Sequence, residues 1–353
     1  MALTRVIHVI TTSRIAGGME AFLARLAPAL GRSGLPQLVI ARPGGDLSRR
    51  LRAEGVETLT YSLYKRRPLS SWGVKRTFRR FAPDVALSWL PCAAQQMPPG
   101  PWVHVAQVGW YRGLDCYERA ERMVMPTPDM KRHFAERGFT GEITVLPHFA
   151  VPEHAPPVSR SLFATPEGVP IILALGRFDP IKGFDIALRA LARLPGAYFW
   201  LGGEGEEEPA LHALAAELGV AERVRFLGWR RDVTALLGQA RVAIVPSRIE
   251  PLGLVTLEAW AAGVPVVAAA SPGPRYAIEA EASGLLVPVE DPEALANAIR
   301  RVLEDEALAR RLAEGGKRRL AERFSEEATV AAYRDYFDRV ARERGRGRSA
   351  ASY

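Results

Sequence analysis

Two carboxylates, Glu250 and Glu258, lie eight positions apart in the segment SRIEPLGLVTLEAWAAG, residues 247–263. A carboxylate can accept two hydrogen bonds from a vicinal diol, so a pair at this separation could hold two diols of one ligand. The preceding run, ARVAIVP, is typical of a buried strand, and LVTLEAWAA predicts a helix that ends at Gly263. In the alternative interpretation Glu250 caps the helix and Glu258 is a solvated helix residue, although the rest of that helix is apolar.

The turn between these carboxylates could also bind an anion. Pro251, Leu252 and Gly253 open the helix, whose first N–H groups lack partners within it. Gly253 has no Cβ, so a ligand can approach the backbone closely. Glu258 leans back towards the turn because helical side chains tilt towards the helix N-terminus. The segment therefore predicts a site for a sugar ring and a ribose with a phosphate between them.

A second segment, LALGRFDPIKGFDIALRAL, carries two cations at the end of another predicted strand. Arg177 follows the apolar run, and Lys182 comes five positions later, before a helix. An arginine can bind a diphosphate as a fork and a lysine as a point charge. The alternative is a pair of surface charges in a loop, because this spacing alone is weak support for a site.

A glycine pair, Gly17-Gly18, separates the first predicted strand from the first predicted helix, with Glu20 in the first turn of that helix. A tight turn alone would also account for the pair. The chain contains neither G-x-G-x-x-G nor G-K-[ST], so it lacks a dinucleotide fingerprint and a P-loop. An oxidoreductase or an ATPase is therefore disfavoured.

Strand-like runs alternate with helical patterns along the chain, which predicts an α/β protein with parallel strands and helices on both faces of each sheet. The proline-rich segment 153–168 predicts a linker between two domains, 1–152 and 169–325. Ligands of such sheets bind beyond the carboxyl ends of the strands, so the cleft between the domains is the expected site. The last long helical pattern is expected to break at Gly315-Gly316, and the basic tail, 346–353, to be disordered.

The charge of the chain is concentrated in its first half. The 353 residues carry a net charge of +8, and residues 1–155 hold 21 Lys and Arg against 12 Asp and Glu. One domain is therefore expected to meet an anionic surface or acceptor. The two cysteines exclude a disulfide framework and a cysteine zinc cluster, and they favour a reducing cytoplasm. No run reaches the ~18 consecutive apolar residues of a membrane span.

These segments resemble the retaining GT-B glycosyltransferases of family 4, the group 1 type found in lipopolysaccharide-core synthesis. The likeness is dense over 171–324, where GRFDPIKG, PSRIEPLGLVTLEAWAAGVPVVA and SGLLVPVEDPEALANAI carry it, and looser over GGMEAFLARLAPAL and GEITVLPHF. It implies two Rossmann-like domains facing across a cleft, an N-terminal one for the acceptor and a C-terminal one for a nucleotide-sugar donor. The C-terminal helix, 326–345, would pack back on the N-terminal domain.

The resemblance also assigns roles to single residues. Glu250 would contact the donor sugar near its anomeric centre, Glu258 would bind the ribose, and Arg177 and Lys182 would bind the diphosphate. Gly18 would approach the phosphate from the other domain. Three backbone N–H groups at the start of the helix would meet phosphate or sugar hydroxyls: those of Leu252, Gly253 and Leu254.

The chain departs from the family pattern at two places. Many relatives carry a histidine that faces the donor sugar, after the strand that precedes Tyr111. Here the strand, WVHVAQVGWY, places Gln107 or Val108 at that point, and His104 lies earlier, where a core or edge residue is expected. The segment SPGP, 271–274, replaces the usual glycine-rich turn. Acceptor contacts and sugar specificity are left open by these departures.

The leading hypothesis is transfer of a hexose, with retention, from a nucleoside-diphosphate sugar to a hydroxyl of a glycan or glycolipid in cell-envelope synthesis. No metal or other cofactor is expected, because the chain has no D-x-D motif, and no nucleic-acid partner is expected. The alternatives are a GT-B epimerase or phosphorylase and a relative that binds a nucleotide sugar without turnover. The base, the sugar, the acceptor and the linkage stay open.

Much of the basic excess lies in YKRRPLSSWGVKRTFRRF, residues 64–81. A helix from Ser71 would place apolar residues on one face, flanked by four cations: Lys75, Arg76, Arg79 and Arg80. One interpretation is an ordinary amphipathic helix with a solvated basic face. The other is that the basic face rests on an anionic cytoplasmic leaflet, with Trp72 and Tyr64 at the level of the lipid headgroups. The second interpretation predicts a cytoplasmic protein that is peripheral on the inner face of the plasma membrane.

Overall fold

The chain forms two α/β units, each built around one parallel sheet. The computed structural model describes residues 3–62, 68–152 and 155–350. Met1–His148 and Glu326–Tyr353 form unit 1, and Phe149–Ser325 form unit 2. The α/β class with parallel strands, predicted from the alternating patterns, is confirmed in both units.

Unit 1 contains a seven-stranded sheet. Its strands are β1 (Val6–Ile10), β2 (Gln37–Ala41), β3 (Thr58–Thr60), β4 (Val85–Trp89), β5 (Val103–Gln107), β6 (Arg122–Met125) and β7 (Glu142–Val145). They are parallel, in the order β3-β2-β1-β4-β5-β6-β7. The central strands β1, β4 and β5 are buried along their whole length, so their few polar side chains are buried as well.

Helices follow most strands of unit 1 and pack on the sheet. They are α1 (Gly18–Arg32), α2 (Asp46–Ala53), α3 (Pro68–Phe81), α4 (Pro91–Gln96) and α5 (Pro128–Glu136). Residues 22–30 of α1 are all buried except the half-buried Arg25, so this part of the helix is enclosed on most sides. Among the described residues, no helix is both long and apolar enough to span a bilayer.

Unit 2 contains a six-stranded parallel sheet. Its strands are β8 (Ile171–Leu175), β9 (Tyr198–Gly202), β10 (Val224–Phe226), β11 (Val242–Val245), β12 (Val266–Ala269) and β13 (Leu285–Val287), in the order β10-β9-β8-β11-β12-β13. The helices are α6 (Phe184–Leu191), α7 (Glu208–Glu217), α8 (Val233–Leu237), α9 (Leu254–Ala261), α10 (Pro272–Ala277), α11 (Pro292–Glu304) and α12 (Glu306–Arg323). β8 and β11 are direct neighbours in the sheet, so the loops that follow them lie side by side.

The segment predicted as a linker, 153–168, is part of unit 2. Val158 is buried in its core, and Arg160–Phe163 form a short 3-10 helix. Arg160 donates hydrogen bonds to Val169 O (2.7 Å) and to the side chain of Gln239 (3.2 Å). The proline-rich composition was therefore misleading, because backbone and side-chain hydrogen bonds fix this segment on the unit. Residues 153 and 154 lie outside the described part of the chain.

The long helical pattern near the C-terminus breaks at Asp305, and the expectation of a break at Gly315-Gly316 is wrong. Asp305 has extended backbone angles, and its side chain accepts a hydrogen bond from Leu308 N (2.9 Å), which caps α12. The two glycines lie inside α12 because they permit close packing. A Cβ on Gly315 would lie 1.8 Å from Ala282 O, and one on Gly316 would lie 2.1 Å from the Trp260 ring.

The last helix, α13 (Glu326–Ala350), belongs to unit 1. It buries Tyr333, Phe337 and Val340 there, and Tyr333 OH donates a hydrogen bond to Gln107 Oε1 (2.7 Å). The helix continues into the segment for which a disordered tail was expected, because single glycines cost a helix only about 1 kcal/mol each and do not end it. Residues 351–353 lie outside the described chain.

A closed ring of ion pairs also holds α13 on unit 1. Arg122 pairs with Glu142, Glu142 with Arg339, Arg339 with Glu343, and Glu343 with Arg122. The hydrogen bonds from Arg339 lower the pKa of Glu142, in spite of partial burial that raises it. The carboxylate form of Glu142 therefore stabilises the docked helix.

We expect Glu142→Gln to lower the free energy of unfolding by about 1 kcal/mol at pH 7, since these pairs are partly exposed. Folding lowers the pKa of Glu142, so its contribution is complete above the unfolded value of about 4.3 and is lost as the pH falls through the folded value. Denaturant unfolding at pH 7 and pH 3 measures the difference from wild type at each pH. Glu306→Gln, which removes an exposed pair with Arg310, is the control and should have no measurable effect. A difference for Glu142→Gln that is unchanged at pH 3 would contradict this account.

Candidate functional site

The predicted site residues of unit 2 lie at the carboxyl ends of its central strands. Arg177 and Lys182 follow β8, and Glu250 follows β11, the neighbouring strand. Lys182 ends a short 3-10 helix, Pro180–Lys182, whose preceding residue Asp179 accepts a hydrogen bond from Ile181 N. The sheet therefore brings two segments that are distant in sequence to one edge, where ligands of parallel sheets bind.

Lys182 and Glu250 contact each other directly. Lys182 Nζ donates to Glu250 Oε2 at 2.6 Å, and the two side chains are only 19% and 12% exposed. Ser247 Oγ donates to the same oxygen at 3.2 Å. Among the described residues, none donates a hydrogen bond to Oε1 of Glu250. The site thus offers a fixed ammonium group beside a carboxylate that can accept further hydrogen bonds.

The turn after Glu250 adopts the conformation that its glycine permits. Gly253 has φ +84°, in the left-handed region, and directly precedes Leu254, the first residue of α9. Leu252 is buried, and no side chain caps this helix end. The first N–H groups of α9 therefore lie next to the Lys182–Glu250 pair, with a local field that favours an anion.

The segment SPGP, which departs from the family pattern, packs against this turn. Ser271 precedes α10, and Gly273 N donates to Glu250 O at 2.7 Å. A Cβ on Gly273 would lie 2.5 Å from both N and Cα of Leu252. The glycine of SPGP therefore allows the loops after β11 and β12 to touch, and the contact fixes the backbone at Glu250.

Two buried hydroxyl groups at this edge lack a hydrogen-bond partner within the described chain: Thr256 Oγ1, in the first turn of α9, and Ser271 Oγ. Both residues are almost fully buried. A buried hydroxyl left unpaired costs about 1–3 kcal/mol, so a polar ligand that reached either group would be stabilised. Thr256 was not predicted from the sequence, because a lone Thr in an apolar run gives no distinct signal, and Ser271 was noted only as part of SPGP.

Three other predicted residues lie on three different segments of the chain. Arg177 is 61% exposed and pairs with Asp179 at 3.2 Å. Glu258 lies half-buried in the second turn of α9. Gly18 is the first residue of α1, in unit 1. Their predicted contacts with the ribose and the diphosphate stay predictions.

His104 and Gln107, the two candidates for the family's histidine position, are both buried in unit 1. His104 Nδ1 donates to Arg119 O (2.7 Å), so its Nε2 accepts from Ser88 Oγ (2.9 Å). Burial lowers the pKa of His104 to about 4, which keeps the ring neutral. His104 is thus a core residue, and the side chain of Gln107 is engaged by Tyr333.

The basic face of α3 is solvent-exposed. Val74 and Phe78 are buried, and the four predicted cations are exposed: Lys75, Arg76, Arg79 and Arg80. Trp72 is 61% exposed, and the Arg76 guanidinium lies 5.5 Å from the centre of its ring. Tyr64 and the basic residues 65–67 lie outside the described residues.

Arg248, which no sequence motif indicated, joins the two loops of the site. Its guanidinium forms two 2.8 Å hydrogen bonds with Asp185 and one of 2.6 Å with Glu290. These bonds, first of all those to Asp185, raise the pKa of Arg248, and they lower the pKa of Asp185 although burial opposes this. The sequence signal that could have indicated Arg248 is its position two residues before Glu250.

In the described part of the chain, no three His, Cys, Asp or Glu side chains are grouped as a metal site would require.

The chain is similar to known proteins in sequence and in fold. Residues 159–319 match the family described as glycosyl transferases group 1. Over 323 residues the chain is 38% identical to the lipopolysaccharide core biosynthesis glycosyltransferase LpsE of Rhizobium meliloti (strain 1021), covering 90% of this chain and 94% of LpsE. LpsD of the same organism, named as a glycosyltransferase of the same process, is 36% identical over 329 residues, covering 92% and 95%. The solved structure of Anabaena HepE in complex with UDP and glucose has a similar fold, with a TM-score of 0.80 at 19% identity over 95% of this chain and 99% of HepE.

We expect Gly273→Ala to disturb the turn at Glu250, because the new Cβ meets backbone rather than a flexible side chain. Overpacking of this kind costs about 1–3 kcal/mol. Hydrogen exchange of peptides covering 246–256 should become faster than in wild type. Gly238→Ala is the matched control in unit 2, since its Cβ would make only ordinary contacts at 3.4 Å. Unchanged exchange in Gly273→Ala would show that the close contact does not fix the turn.

Proposed function

The chain belongs to the group 1 glycosyltransferases and has the GT-B fold, and from this premise we propose that it transfers a hexose, with retention, from a nucleoside-diphosphate sugar to a hydroxyl of a glycan or glycolipid. The observation that carries the proposal is the contact between Lys182 and Glu250 at the start of α9. An ammonium group suits a phosphate, and a carboxylate suits sugar hydroxyls. A sugar phosphate carries a phosphate next to sugar hydroxyls, and it is therefore the ligand that fits this pair.

The similarity to LpsE and LpsD supports an acceptor in the lipopolysaccharide core. HepE, whose fold is similar, has been solved with UDP and glucose, which supports a nucleoside-diphosphate sugar as the donor. In this proposal unit 2 holds the donor and unit 1, which carries the basic excess, takes the acceptor. Glu258 binds the ribose, and Gly18 approaches the phosphate.

Charge stabilisation supplies most of the catalysis in the proposed mechanism. As the bond between the anomeric carbon and the phosphate oxygen breaks, negative charge grows on the leaving diphosphate. Lys182 and Arg177 stabilise that charge, together with three backbone N–H groups: those of Leu252, Gly253 and Leu254. The acceptor oxygen bonds to the anomeric carbon on the face that the diphosphate leaves, which gives retention, and a leaving-phosphate oxygen takes the proton of the acceptor hydroxyl. No metal or other cofactor takes part in this scheme.

Glu250 orients the donor sugar in this mechanism and does not attack it. A double displacement would also give retention, with Glu250 as the nucleophile. The carboxylate, however, accepts hydrogen bonds from Lys182 and Ser247 on Oε2. These bonds and the adjacent positive charge reduce its nucleophilicity, which favours the orienting role.

We also propose that α3 docks on an anionic cytoplasmic membrane surface, where a glycolipid acceptor would be met. Its four exposed cations and the exposed Trp72 lie on a helix whose opposite face is buried in unit 1. Each Lys or Arg near an anionic leaflet contributes about 1 kcal/mol of attraction, and the indole ring suits the headgroup region.

We expect the purified protein to be stabilised against heat by one class of donor among UDP-, GDP- and ADP-sugars, and to transfer its sugar with retention, as read by NMR of the product. Glu250→Gln should remain folded and lose at least about 100-fold in kcat, because a positioned group of this kind is worth roughly this much. EDTA should leave turnover unchanged.

Three outcomes of this assay would contradict the proposal. Near-normal turnover of Glu250→Gln would remove the role of that carboxylate. Conversion of the donor sugar without an acceptor product would indicate an epimerase, and binding without turnover would indicate a regulatory relative. Activity abolished by EDTA and restored by a divalent cation would show that the reaction needs a metal.

We expect the protein to sediment with vesicles that contain an anionic phospholipid at low salt, and less so at high salt, where exposed charges are screened. A variant with the four α3 cations changed to Ser should lose most of this binding. The matched control changes one Lys and three Arg that are exposed on α12: Arg310, Arg311, Lys317 and Arg318. Equal binding by wild type and the α3 variant, or equal losses in both variants, would contradict docking through α3.

A further inference from the structure

Arg248 links three loops at the carboxyl edge of the sheet in unit 2. Its Nη1 and Nη2 donate to the two carboxylate oxygens of Asp185, at the start of α6, at 2.8 Å each. Its Nε donates to Glu290, after β13, at 2.6 Å, and Nη1 also donates to Pro180 O at 2.5 Å. One side chain therefore ties the loop after β11 to the loops after β8 and β13.

The backbone reinforces the same connection. Arg248 N donates to Ile181 O at 2.8 Å, and Ile249 N approaches the same oxygen at 3.4 Å. Ile181 directly precedes Lys182, and Arg248 lies two residues before Glu250. The hydrogen bond that joins the two loops therefore lies one residue from Lys182 and two residues from Glu250. These two residues are the pair that we place at the sugar–phosphate junction.

Arg248 is not available as a ligand for the donor diphosphate. Four of its five N–H donors are used by Asp185, Glu290 and Pro180 O. Two neighbouring carboxylates offset its positive charge. Its contribution is therefore geometric: a planar fork fixes the distance and angle between two loops, which a lysine cannot do.

We propose that Arg248 is a positioning residue that sets the separation of Lys182 and Glu250 and acts on the donor only through them. This inference rests on the proposed function, because it assumes that the pair meets a nucleoside-diphosphate sugar. Loss of the link would let the two loops move apart, and a displacement of about 1 Å in such a site can cost about 100-fold in rate.

The first test compares Arg248→Ala, Arg248→Lys and Arg301→Ala. We expect Arg248→Ala to lower kcat about 10- to 100-fold. Arg248→Lys should recover little of this loss, although it restores the charge. Arg301 forms a bidentate pair with Glu281 (2.9 Å for each bond) elsewhere in unit 2, so Arg301→Ala controls for the loss of any such pair and should keep normal turnover. Full recovery in Arg248→Lys, or an equal loss in Arg301→Ala, would overturn the proposal.

The second test needs no turnover and therefore separates this proposal from the proposed function. Calorimetry measures the affinity for the free nucleoside diphosphate, screened among UDP, GDP and ADP. We expect Arg248→Ala to weaken binding about 10-fold in the wild-type background and less than about twofold in a Lys182→Met background, because residues that act through one another are not additive. Additive losses would show that Arg248 acts on the ligand independently, and would overturn the proposal.

The outcomes for the two proposals differ. If wild type binds a nucleoside diphosphate with this non-additive pattern but transfers no sugar, the positioning role stands and the proposed function fails. If wild type transfers sugar but Arg248→Ala binds and turns over normally, only the positioning role fails. If wild type binds none of the three diphosphates, both are overturned.

Discussion

The contact between Lys182 Nζ and Glu250 Oε2 is the interaction on which the candidate site of unit 2 depends. A carboxylate and an ammonium group that are largely removed from water stabilise a protein only if they are paired in good geometry. These two residues are 68 positions apart, and only the pairing of β8 with β11 brings them together. In the proposed function, the order of the strands therefore matters for the site as well as for packing. Reordering the strands would leave two buried charges without partners.

The surroundings of the pair restrict its movement from several sides. Gly253 provides the left-handed turn into α9, and Gly273 allows the next loop to touch the backbone of Leu252. Arg248 ties the loop to its neighbours across the edge of the sheet. Each of these contacts requires a particular residue type: no Cβ at the two glycines and a planar fork at the arginine. These contacts together fix the loops around the pair.

The sequence predicted the elements that local patterns determine and missed those that depend on distant contacts. Continuous apolar runs indicated the buried parallel strands, and the residues at the ends of two of them indicated the candidate site. The glycine pair in α12 predicts a break in the helix. The close contacts with Ala282 and Trp260 that keep it helical leave no local signal in the sequence. Gln107 occupies a position that suggested a role in the site, yet its side chain is engaged by Tyr333, 226 residues away. Arg248 was missed for the same reason, since its partners come from two other loops.

The structure of the protein with an intact nucleoside-diphosphate sugar tests the central claim most directly. The account predicts that Lys182 Nζ lies within hydrogen-bond distance, about 3 Å, of a diphosphate oxygen. It also predicts that a carboxylate oxygen of Glu250 accepts a hydrogen bond from the donor sugar while Arg248 keeps its bonds to Asp185. A donor bound elsewhere on the protein, with Lys182 and Glu250 still paired only to each other, would contradict it.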